Sequence, residues 1–99
     1  MDLRDRLSVG VLRDVYHTAL KEYMAHSDIM KRLGRAYHDV LLGDQYSITL
    51  VSRKPVTFNV IGPNSEYTII ESQRLCTCPD GQVLCKHRLA CKLVVDTLK

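Results

Sequence analysis

The chain has 99 residues, of which 45% are hydrophobic and 25% charged, with five glycines and three prolines. That composition fits one small folded domain and excludes a disordered or collagen-like chain and a second independent core. The formal charge of +3 lies wholly in the last quarter, where residues 74–99 hold five basic and two acidic residues, while 1–44 (seven and seven) and 45–73 (two and two) are balanced.

No apolar run exceeds four residues, whereas a bilayer span needs about 20, so no membrane helix is expected. The opening Met1-Asp2-Leu3-Arg4-Asp5-Arg6 alternates charge instead of leading a basic stretch into an apolar one. It does not read as a secretory leader, and an intracellular protein of the cytoplasm or nucleus is expected.

From Leu3 to Met24 the apolar residues recur at three-and-four spacing, which predicts a long amphipathic helix of roughly 33 Å. Such a length exceeds what a small domain covers, so part of the apolar face in residues 3–42 is expected to meet another chain, either a partner or a second copy in a homodimer. Ser8 and Gly10 weaken the first turns and move the possible start towards Val9. Ser27 reads as the N-cap of a second helix with Asp28 in its first turn, Ile29 to Leu41 continue at helical spacing, and Gly43 reads as a left-handed stop. One kinked helix over 3–42 is the alternative. The histidines of this half, His17, His26 and His38, have polar neighbours and read as surface residues, while Tyr16, Tyr23 and Tyr37 read as core or interface.

After Gly43 the period changes to two. Residues 46–51, 56–61 and 66–71 alternate and are rich in β-branched and aromatic types, which predicts three strands joined through Ser52-Arg53-Lys54-Pro55 and Gly62-Pro63-Asn64-Ser65. Residues 85–98 return to helical spacing. The fold expected is α+β, with a helical N-terminal region over 1–44 followed by a module over 45–99 of a three-stranded antiparallel sheet and a C-terminal helix, all in one compact domain.

The chemistry is concentrated in Cys76-Thr77-Cys78-Pro79-Asp80-Gly81-Gln82-Val83-Leu84-Cys85-Lys86-His87. Two donor pairs, each with one residue between its members, stand six residues apart. They supply four ligands for one tetrahedral zinc ion, and a closed set of thiolate and imidazole donors marks a structural site. Pro79-Asp80-Gly81 can turn the chain so that the second pair meets the first. Cys91 lies four residues beyond His87 on the same helical face, so it is an alternative fourth donor or a small core residue. Another reading treats all four cysteines as buried apolar residues.

Cys-x-Cys-Pro-Asp followed by Cys-Lys-His-x-x-Ala, with a strand carrying Tyr67 before it, resembles a SWIM-type zinc finger over roughly residues 46–98, most strongly over 76–91. The resemblance implies a ββα module with Cys76, Cys78, Cys85 and His87 as zinc ligands, in proteins that bind DNA or other proteins. Its brevity is similar to small recombination-accessory proteins that partner recombinase paralogues, and to compact archaeal and viral members. Arg74, Lys86, Arg88 and Lys92 flank the metal motif, and Arg53-Lys54 lie at the hairpin tip, so these six form a candidate phosphate-contacting set. The expected function is a zinc-stabilised DNA-binding module, with a protein adaptor acting through the helical half as the alternative. No Ser-His-Asp order, phosphate loop or carboxylate pair is apparent, and four protein ligands leave zinc no open position, so no enzyme is expected.

Overall fold

The structure is a computed structural model that describes residues 2–70, 75–77 and 85–98. Its N-terminal stretch is not one long helix. Leu3–Arg6 make a 3-10 turn, Leu7 and Ser8 are extended, and helix α1 runs over Val9–Glu22. The break has a physical cause, because polar groups of the first turn are engaged elsewhere. Asp2 caps that turn by accepting from Arg4 N at 3.0 Å, and the same Oδ1 accepts Ile48 N at 3.0 Å. The Arg4 guanidinium donates to the carbonyls of Val40 and Gly43. A helix continuing back to Leu3 would pull these groups off their partners.

A turn at residues 23–26 separates α1 from α2 (Ser27–Arg35), so the two are distinct helices and not one kinked rod. The N-cap is His26, one residue earlier than expected, and its carbonyl accepts Met30 N at 3.0 Å. α2 then widens over Ala36–Leu41 into a π-helical turn, closed by Leu42 N donating to Tyr37 O at 3.0 Å. Gly43 ends this segment for a reason other than the left-handed stop expected: its φ is not in the left-handed region, but a Cβ there would run into the Asp39 carbonyl oxygen.

Strands β1 (Ser47–Arg53), β2 (Val56–Ile61), β3 (Glu66–Ile70) and β4 (Leu75–Cys76) form an antiparallel sheet in sequential order. The first three are those expected, with β1 reaching Arg53 so that only Lys54-Pro55 remains as the turn, its peptide bond cis. The fourth, two residues long, carries the first cysteine into the sheet. The register shifts between Leu50 and Ser52, and Val51 in that bulge is exposed. Cross-strand neighbours share a face, so Ile48, Val60 and Tyr67 form one row and Leu50, Phe58, Ile69 and Cys76 a second.

Helix α3 (Lys86–Leu98) is the centre of the core. Leu89, Ala90, Cys91, Leu93 and Val94 are buried together with Ile48, Phe58, Val60 and Ile69 of the sheet, Leu12 and Ala19 of α1, and Leu33, Ala36, Tyr37, Val40 and Leu41 of the second helical segment. The apolar stripe of α1 is therefore largely used within the chain, with Tyr16 stacked on Tyr37 at 4.0 Å between ring centroids. No helix among the described residues is long and apolar enough to cross a membrane.

Candidate metal centre

Three donors converge where the last strand faces the start of α3. The sheet register places Cys76 on the core face opposite Ile69. Cys85 stands just before α3 with its carbonyl accepting Leu89 N at 3.0 Å, and His87 follows in the first helical turn. The ligand atoms of Cys76, Cys85 and His87 all lie within 4.8 Å of one another, and Cys76 Sγ is 3.9 Å from His87 Nδ1. Tetrahedral zinc at ordinary bond lengths sets sulfur and nitrogen donors about 3.6 Å apart and two sulfurs about 3.8 Å apart, so only small movements would close the set on an ion.

Two of the three donors are closed off from water. Cys85 is fully buried and His87 is 5% exposed, yet His87 Nε2 has no hydrogen-bond partner among the described residues. A buried imidazole nitrogen left without a partner costs roughly 1–3 kcal/mol, so the ring calls for one more polar group or an ion beside it. The imidazole is held by two rings, Tyr67 at 4.4 Å and Tyr46 at 6.2 Å between centroids. Tyr46 in turn lies across Gly62, where a Cβ would come within 2.8 Å of its ring. Sequence reasoning placed Tyr67 in the sheet but gave Tyr46 no role; only the approach of α3 to the start of β1 brings it beside the histidine.

The helix start also favours ionised sulfur. Cys85 stands at the positive end of the α3 dipole, a place that favours negative charge such as the thiolate that binds metal. Cys91, one turn beyond His87, belongs to the apolar core and is not grouped with the three donors. The other proposed ligand, Cys78, and the basic residue Arg74 lie outside the described residues.

The remaining described cations differ in their surroundings. Arg88 is 7% exposed. Lys92 pairs with Asp96 at 3.2 Å and with Glu22 of α1 at 3.6 Å. Burial on its own would lower the Lys92 pKa, but the hydrogen bond and charge of Asp96, with Glu22 and Tyr23, hold it above the ordinary range. Lys86 rests its ammonium 5.7 Å from the centre of the Tyr46 ring, beside the start of β1, whereas Arg53 and Lys54 are exposed at the far end of that strand, about 20 Å away. Of the five described members of the phosphate-contacting set expected from sequence, Arg88 is buried and Lys92 is ion-paired, while Lys86 and the Arg53-Lys54 tip lie at opposite ends of β1. His17, His26 and His38 are exposed, as expected.

Comparison of the chain with family models, curated proteins and solved structures finds no match.

Proposed function

We propose that the chain is a zinc-stabilised, non-catalytic binding module of the SWIM type whose ligand is another protein. The observation that carries the zinc reading is the convergence at the junction of β4 and α3 of Cys76, Cys85 and His87, whose buried Nε2 has no hydrogen-bond partner among the described residues. Cys78, two residues beyond Cys76, supplies the fourth donor in this reading. When bound, zinc supplies a cross-link between sheet and helix and no reactive position. The chain's own residues do the rest: Tyr46 and Tyr67 orient the imidazole, and the helix start stabilises the Cys85 thiolate.

The choice of protein over nucleic acid rests on charge. Among the described residues of the basic last quarter, Arg88 is buried and Lys92 is engaged by two carboxylates, which leaves Lys86 alone to meet a phosphate backbone. A DNA-binding reading is favoured by one observation, the exposed Arg53-Lys54 tip, for which no ion pair is seen among the described residues.

Two measurements test this. Replacement of the native metal by cobalt should give the intense absorption of a tetrahedral thiolate site, and Cys85→Ser or His87→Ala should weaken or remove it. A salt-dependent titration of the metal-loaded protein with duplex and single-stranded DNA should show no more than weak binding. Tight binding with a steep salt slope that Arg53→Glu abolishes would transfer the function to nucleic acid.

A further inference from the structure

At the opposite end of α3 from the donors, an open groove of about 350 Å³ lies between the helix and the β1–β2 hairpin. Its apolar lining comes from Leu3, Leu50, Phe58, Val94 and Leu98, and its rim carries two arginines, Arg6 and Arg53. Both guanidiniums belong to exposed residues, and neither has a carboxylate partner among the described residues. Most described cations are likewise without an ion pair, so what sets these two apart is their place on an apolar groove whose lining carries no carboxylate. The groove is also still partly in water, since Val56 is 37% and Leu98 43% exposed.

We infer that this groove is a docking site for a short peptide segment of a partner protein, with one or two bulky apolar side chains flanked by carboxylates. The inference rests on the protein-binding reading above and names the partner chemistry. An apolar floor rewards burial of a Leu-sized or Phe-sized anchor by about 1.5–3 kcal/mol per side chain. The two arginines can pair with carboxylates on either side of that anchor and reject a basic segment. Because the groove is open, it suits an anchor presented on a chain, whereas a free acyl anion would leave much of its tail in water.

The test is a peptide-display selection on the metal-loaded protein, with the Arg6→Glu/Arg53→Glu variant as counter-selection, followed by affinity measurement on synthesised peptides. The expected result is enrichment of peptides with an apolar pair bordered by Asp or Glu. Their affinity should fall about tenfold for each charge reversal, a change of about 1.4 kcal/mol, and should fall again in Leu98→Asp. Enrichment without acidic residues, affinity unchanged in both arginine variants, or preferential binding of dodecanoate would overturn the inference. So would a homodimer that Leu98→Asp dissociates, since the groove would then be filled by a second copy. The arginines lie a helix length from the donors, so metal content and circular dichroism of the same variants report separately on the zinc reading.

Discussion

Asp2 and His87 are the two residues on which most of the local organisation turns. Burial alone would raise the Asp2 carboxyl pKa, but the Ile48 and Arg4 amides and the Arg4 guanidinium outweigh it and hold the group below its ordinary value of 3.8. A carboxyl that is more acidic when folded stabilises the fold above its unfolded pKa. The contribution is complete above about pH 5 and is lost as the pH falls through 3.8 towards the lower folded value. Asp2→Asn should therefore lower stability at neutral pH by roughly 1–3 kcal/mol, as expected for hydrogen bonds to a charged group, and should flatten the acid limb of a denaturation series. Equal slopes in the two proteins between pH 5 and 3 would contradict this. His87→Gln keeps a polar side chain but loses the imidazole; the metal should bind at least tenfold more weakly, with Tyr67 and Tyr46 left packing against a misfit.

At the scale of elements, α3 decides the architecture. It is buried on nearly all sides, which explains why its sequence shows only a weak apolar stripe: Cys91 and Ala90 are as hidden as Leu89 and Leu93. Leu93→Ala should destabilise the protein by about 2–5 kcal/mol, measured by urea unfolding, whereas truncation of exposed Val51 in the bulge should change stability by less than about 0.5 kcal/mol. Gly43→Ala tests the helix end. A methyl group there meets the Asp39 carbonyl, so the π-helical turn must shift and carry with it the carbonyls that Arg4 holds.

What was legible in the sequence follows from how local each signal is. Alternation of apolar residues over 46–61 announced β1 and β2, because side-chain direction in a strand depends on nothing beyond the strand. The grouping of Cys76, Cys85 and His87 was legible for a related reason, since donor residues at ligand spacing carry their own chemistry. The break at Leu7-Ser8 was not, since it depends on Arg4 meeting carbonyls almost forty residues later. The face of each cation was equally hidden. Lys92 and Arg88 read as surface charges, but the packing of α1 against α3 turns Lys92 towards Glu22, and Arg88 is buried.

In the whole molecule a helical half and a sheet share one core and, as proposed, one ion. Metal binding of this kind contributes directly to folding, apparently about 10–16 kcal/mol in isolated finger peptides, against a net stability of about 5–15 kcal/mol for a typical domain. Chelation should then unfold the strand–helix junction and, since α3 fills the centre of the core, much of the remainder. The most direct measurement is native mass spectrometry of the protein purified under reducing conditions without added metal, before and after chelator. The account predicts one zinc ion per chain and a compact charge-state distribution that broadens when the ion is removed. A metal-free mass with the compact distribution intact would contradict it.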